Sequence, residues 1–227
     1  MEIVLASRNK KKIGEMNTLL SKFCGDKVRV LSLDDIGFFG DIVEDGDTFE
    51  KNSAIKACAP AKMGYIGIAD DSGLCVDALN GAPGVFSARY SGEDANDDKN
   101  NEKLLLELEN TDDRGAQFQT VISMVIPKSL GLSVFHPMTN PEMEEYVLER
   151  FGIEAHVCSC VGECEGEILR EKRGEGGFGY DPLFYVPEKQ KTFSELSSEE
   201  KNSISHRGRA MRCFGDSFNI LIEENNL

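Results

Sequence analysis

Short aliphatic and β-branched runs alternate with segments of helical spacing along this chain, and that alternation restricts the fold more than any other feature. Residues 2–6 form one such run and stop at Ser7-Arg8-Asn9, after which Ile13, Met16, Leu20 and Phe23 recur at helical intervals. The pattern predicts strand, loop, helix. Residues 66–69 and 74–79 read as two further strands separated by an Asp70-Asp71-Ser72-Gly73 turn, and residues 117–126 as another, closed by Pro127. Residues 156–170 and 184–186 complete the strand set. Between them lie predicted helices. Asp47 with Glu50 forms a capping box for one carrying Phe49, Ile55 and Cys58, ended or kinked at Pro60. Residues 96–108 turn Leu104, Leu105 and Leu108 inward, and Ser197 with Glu200 caps a C-terminal helix. This order argues an α/β class.

Residues 128–155 differ in character: a Gly-, Ser- and Pro-bearing stretch leads to Asn140-Pro141, a helix start, and to an apolar stripe of Met143, Val147, Leu148 and Phe151. We read them as an insertion or surface excursion with one helix from Pro141 to about Phe151. At 227 residues the chain suits a single domain or two intimately packed lobes.

Forty acidic against twenty-five basic residues give a formal charge of −15, which opposes general affinity for nucleic acid or an anionic membrane surface. No apolar run approaches the ~20 residues of a bilayer span. An anionic ligand therefore requires a local basic pocket or a metal ion. Seven cysteines form an odd, scattered set, and residues 1–5 lack the basic and apolar regions of a signal peptide, so reduced thiols in a cytoplasmic protein are expected. Cys158, Cys160 and Cys164 lack the paired spacing of common zinc sites and read as small apolar side chains along a strand.

Four constellations carry chemistry. Ser7-Arg8-Asn9-Lys10-Lys11-Lys12 places four basic side chains and free amides at a strand-to-helix turn, an anion site if it is more than a solvated basic turn. Asp70-Asp71-Ser72-Gly73, with Glu44-Asp45-Gly46-Asp47 upstream, offers the oxygen ligands Mg²⁺ prefers, or else is an ordinary Asp-rich turn. In residues 174–185 the glycines around Phe178 allow close approach of a flat ligand. Phe178 or Tyr180 would stack on a base while Asp181 accepts from its polar edge, the alternative being a glycine-rich hairpin. Lys201 to Arg209 adds a second basic surface in which a lone His206 carries little weight.

Taken together these segments resemble the inosine triphosphatase-like NTP pyrophosphatases, or XTP/dITP diphosphatases. The likeness rests on Ser7 to Lys12 continuing to Glu15, and on Asp70-Asp71-Ser72-Gly73-Leu74 with Val76-Asp77-Ala78-Leu79 and Gly81-Ala82-Pro83-Gly84-Val85. Ser87-Ala88-Arg89-Tyr90, Gly176-Gly177-Phe178-Gly179-Tyr180-Asp181-Pro182, Lys191-Thr192-Phe193 and Ser205-His206-Arg207-Gly208 complete it. The family's opening Thr is Ser7 here, and its F-x-E-N-A segment is Phe49-Glu50-Lys51-Asn52-Ser53.

The resemblance implies an elongated, two-lobed α/β fold around a central mixed β-sheet, with the active-site cleft between the lobes, as a homodimer. It implies hydrolysis of deaminated purine nucleoside triphosphates (ITP, dITP, XTP) to the monophosphate and pyrophosphate. Asp71 and Lys12 would be catalytic, Asp71 activating water, and Glu44 with Asp71 would bind Mg²⁺. Ser7, Arg8, Asn9, Lys10, Lys11, Lys12 and Lys201 would hold the triphosphate, and Ser72, Phe178, Gly179, Tyr180, Asp181, His206 and Arg207 would contact the nucleotide. Two rival readings are a pyrophosphatase for modified pyrimidine triphosphates and a nucleotide sensor without turnover; the latter leaves Asp71 without a role.

Overall fold

The computed structural model describes residues 1–8, 13–14, 16–18, 20 and 28–226. Seven strands form one mixed sheet in the order β2-β1-β3-β4-β5-β6-β7. They are β1 (Glu2–Leu5), β2 (Arg29–Ser32), β3 (Ile66–Val76), β4 (Gly115–Pro127), β5 (Ala155–Ile168), β6 (Phe184–Val186) and β7 (Lys191–Thr192). β1 runs parallel to both β2 and β3, whereas β5, β6 and β7 pair antiparallel. Residues 13–14, 16–18 and 20 are helical, and the further helices among the described residues are α1 (Phe49–Ala61), α2 (Asp97–Glu107), α3 (Pro141–Phe151), α4 (Ser198–Ile204) and α5 (His206–Glu224).

The chain divides into two compact units. The first comprises Met1–Asp71, Val121–Cys160 and Ala210–Leu227. Its strands are apolar on both faces, and the two-residue alternation of a strand explains how each face finds a cover. Ile3, Leu5, Ile66, Ile68, Ile122 and Met124 point to a cluster completed by Met16, Leu20, Phe214 and Phe218. Val4, Ala69, Val125 and Val157 point the other way, onto Ala54, Ala57 and Cys58 of α1 and Met143 and Val147 of α3. Each large side chain so buried contributes about 1.5–3 kcal/mol. α1 packs so closely on β3 that a Cβ at Gly67 would collide with the Ala57 carbonyl oxygen. Buried Ser53 and Ser123 hydroxyls, 2.6 Å apart, fix the helix further.

The second unit comprises Ser72–Thr120 and Val161–Arg209. Its core gathers Leu74, Val76, Leu104, Leu108, Phe118, Leu183, Phe184 and Phe193. The predicted α2 is present, capped by Asn96 accepting from the Lys99 amide, and β6 has the predicted bounds. Cys158, Cys160 and Cys164 lie buried along β5, as small apolar side chains would.

Several expectations are corrected. Asp70 to Gly73 is no turn: residues 66–76 are one strand, and residues 77–79 form a 3-10 turn rather than its extension. Pairing with β1 ends where the Ala6 amide donates to the Ile68 carbonyl, so β3 continues from Asp70 onward past its β1 partner. α1 starts one residue later than the capping box proposed. Thr48 is its cap, accepting from the Lys51 amide, and Asp47 instead pairs with the Lys51 ammonium at 2.7 Å. The Ser197–Glu200 capping box is present, but it opens the short α4, and extended backbone at Ser205 separates that helix from α5. Residues 128–155 contain the predicted helix with its predicted bounds, and it docks on its own unit through Met143 and Val147 while Leu148 stays exposed.

Candidate active site

The first unit presents an acid–ammonium cluster. Glu44 lies in the loop before α1, Asp71 in β3 just past the end of β1, and Lys56 in the second turn of α1. Lys56 Nζ donates to Glu44 Oε2 at 2.5 Å and to Asp71 Oδ1 at 2.9 Å. One ammonium thus serves two carboxylates. Burial pulls the Lys56 pKa down, but the facing charges of Asp71 and Glu44 leave it above the ordinary lysine value. Asp71 is held above the ordinary carboxylate value, chiefly by burial and also by Glu44, with Lys56 and Asn52 pulling the other way.

Asn52, one turn before Lys56 and 2% exposed, supports the same place. Its Oδ1 accepts from the Gly46 amide at 2.8 Å, tying the Glu44 loop to α1. Further anchors come from α3 and the residue that caps it: Arg150 pairs with Asp45 at 2.5 Å, and the cap Asn140 donates from Nδ2 to Glu50 Oε1 at 2.9 Å. Sequence reasoning missed Lys56 and the role of Asn52. The available signal was a lysine amid the small or apolar residues Ser53, Ala54, Ile55, Ala57 and Cys58, at the position one helical turn after Asn52.

Two carboxylate oxygen donors that already hold a shared cation fit a divalent ion that completes its shell with water and phosphate oxygens. Among the described residues, no group of three or more His, Cys, Asp or Glu side chains converges on one point.

Of the basic loop, Asn9, Lys10, Lys11 and Lys12 lie outside the described residues. Arg8 turns to its own unit, donating to the Phe38 and Gly40 carbonyls at 3.2 and 3.1 Å and pairing with Asp34 at 3.4 Å. Ser7 lies two residues past the end of β1.

The second unit presents an aromatic and basic cluster. Phe178 is 76% exposed, in a loop where Gly177 and Gly179 take positive φ; a Cβ at Gly177 would collide with Asp181 Oδ2. Asp181 is buried, and its Oδ2 accepts from the Phe178 amide at 2.9 Å and from Lys201 Nζ at 2.6 Å. The Lys201 ammonium also lies 5.0 Å from the Phe178 ring centroid and 5.1 Å from that of Phe193. Ser72 shares a hydrogen bond with Thr120 at 2.8 Å.

His206 stacks on Phe118, with centroids 4.7 Å apart and planes at 15°. Burial, then the charges of Lys201 and Arg207, push its pKa down to about 3, so the ring is neutral at physiological pH. Its buried Nδ1 has no partner among the described residues. Arg207 follows it on α5. Tyr180 is corrected: its ring is buried and its hydroxyl donates to the Ser87 carbonyl at 2.9 Å, so it offers no stacking face and Phe178 does.

These parts define a class, a mixed-sheet α/β protein with an acid–ammonium cluster on one unit and a glycine-rich aromatic loop on the other. Within that class, the chain belongs to the Ham1 family, whose pattern matches residues 3–216. It is 46% identical over 215 residues to a dITP/XTP pyrophosphatase of Desulforamulus reducens, spanning 93% of this chain and 92% of that protein. It is 43% identical over 231 residues to one of Clostridium perfringens, spanning 98% and 99%. Among solved structures, a HAM1 protein from Coxiella burnetii superposes with a TM-score of 0.80 at 40% identity, covering 97% of this chain and 99% of that one. The Staphylococcus aureus Ham1 protein gives 0.78 at 40% identity, covering 96% and 98%. No helix among the described residues is long and apolar enough to cross a membrane.

Proposed function

We infer that this protein is a nucleoside-triphosphate pyrophosphatase that hydrolyses deaminated, 6-keto purine nucleoside triphosphates (ITP, dITP and XTP) to the monophosphate and pyrophosphate, cleansing the nucleotide pool. The observation that carries this reading is the Lys56 ammonium shared by Glu44 and Asp71, in a chain whose relatives bear the name dITP/XTP pyrophosphatase. Glu44 and Asp71 would hold Mg²⁺, which supplies charge neutralisation on the triphosphate and polarises its phosphorus. Asp71 orients and deprotonates the attacking water. Lys56 keeps both carboxylates in place and limits their mutual repulsion. Ser7 to Lys12 would grip the triphosphate through a hydroxyl and basic side chains, with Lys12 neutralising developing charge, and Lys201 would add a further ammonium.

Phe178 supplies a stacking face, and neutral His206 donates from one ring nitrogen and accepts at the other. A 6-keto purine accepts at O6 and donates from N1–H, whereas adenine reverses both, so a site built for the first faces the second with mismatched groups. Two such mismatches at about 1–3 kcal/mol each give roughly 10²-fold to 10⁴-fold discrimination. The working form in this reading is a cytoplasmic homodimer with no nucleic acid or membrane partner.

Pyrophosphate release from ITP, XTP and ATP, with and without Mg²⁺, tests this directly. Metal-dependent release from ITP and XTP, with ATP at least a hundredfold poorer, is expected. Release of orthophosphate instead, or an ITP to ATP ratio near one, overturns it.

A further inference from the structure

Gly179 is held at both ends of its own backbone by a single helix. Its amide donates to Asp97 Oδ2 at 2.7 Å, and its carbonyl accepts from Asn101 Nδ2 at 2.9 Å. Asp97 and Asn101 are four residues apart on α2, and therefore on one helical face. An acceptor and a donor at that spacing match the donor and acceptor of one residue, and Gly179 meets them with φ at +61°. The residue they hold lies between exposed Phe178 and Tyr180, whose buried ring fixes the far side of the loop.

Asn101 is a costly way to fill this position if stability alone is at stake. The side chain is 2% exposed, and its Oδ1 has no partner among the described residues. A buried amide satisfied on one side only is worse for folding than an apolar side chain of the same size. The return lies in the loop.

We propose that Asp97 and Asn101 are positioning residues that clamp Gly179 and thereby fix the orientation of the Phe178 ring for purine binding. The proposal rests on reading the Phe178 loop as the base site. With the ring free to rotate away, the nucleotide would bind more weakly while the acid–ammonium cluster on the other unit keeps its chemistry. The effect is therefore expected in KM and not in kcat.

Steady-state kinetics with ITP test the clamp on Asn101→Leu, Asp97→Ala and Asp97→Asn, with Phe178→Ala as the reference and thermal unfolding to establish that each variant is folded. Loss of either contact is expected to raise KM about tenfold with kcat within about twofold. Asp97→Asn retains an acceptor oxygen and is expected to keep the wild-type KM. If Phe178→Ala raises KM while Asn101→Leu or Asp97→Ala leaves it within twofold, the clamp is overturned and the base-site reading stands. If Phe178→Ala itself leaves KM unchanged, the base-site reading fails and the clamp with it. A fall in kcat at constant KM also overturns the proposal. Should Asn101→Leu fail to fold, Asp97→Ala decides the question alone, since Asp97 is exposed at the helix start.

Discussion

Lys56 and Asp71 meet at 2.9 Å with only 14% and 17% of their side chains exposed, and the same ammonium holds Glu44 at 2.5 Å. Removing that charge leaves two carboxylates with no cation between them. Lys56→Met is expected to lower stability by about 2 kcal/mol in the presence of EDTA, or several degrees in Tm. Added Mg²⁺ restores part of the loss, because a divalent ion supplies the charge the lysine provided. Differential scanning calorimetry with and without metal checks this. A variant as stable as wild type in EDTA would show that the ammonium contributes nothing to holding the pair.

Asp71→Asn keeps the shape of the side chain and removes its charge. Turnover of ITP is expected to fall by roughly 10²-fold to 10⁴-fold, the range for losing a positioned base, while Tm changes little. Single-turnover measurement at saturating nucleotide separates chemistry from binding. Retention of near wild-type turnover would remove Asp71 from the role assigned to it.

What could be read from the sequence follows the range over which each signal acts. The spacing of Met143 and Val147, the inward leucines of residues 96–108 and the strand-like Val, Ile, Phe and Thr content of residues 117–126 are local, and the elements they predict are present. Asp70 to Gly73 looked like a turn because propensity reports only neighbours. It is strand because β3 continues in the sheet beyond the point where β1 stops. Lys56 was invisible for a related reason: a buried lysine is stable only with partners, and its partners lie 12 and 15 residues away. Tyr180 and Phe178 share one motif, yet only the packed structure separates the ring that fills the core from the one left open.

His206 makes stability depend on pH with a definite sign. Its pKa is about 3 when folded against 6.5 ordinarily, so between those values the unfolded chain takes up a proton that the folded chain refuses. Stability therefore falls as pH drops through that window, by about 1.4 kcal/mol per unit from this group. His206→Gln is expected to show a shallower decline in Tm from pH 6.5 to 4 than wild type. Equal slopes would mean that the imidazole is not held neutral by its surroundings.

The last prediction joins the packing of α1 to catalysis. Gly67 in β3 lies directly beneath the Ala57 carbonyl and the Pro60 ring, and neither a backbone oxygen nor a proline ring can swing aside. In Gly67→Ala the helix must back away from the sheet, at a cost of about 1–3 kcal/mol for overpacking a tight contact. Ala57 is the neighbour of Lys56, so the same movement shifts the ammonium relative to Asp71, which stays on β3. Misplacement by about 1 Å is enough to cost on the order of 10²-fold in rate. The expected result is a Tm lower by several degrees together with a kcat for ITP reduced at least tenfold, KM changing less because the substituted residue is remote from the Phe178 loop in sequence and lies in the other unit. A destabilised variant with wild-type kcat would show that the position of α1 does not set the geometry of the Lys56–Asp71 pair.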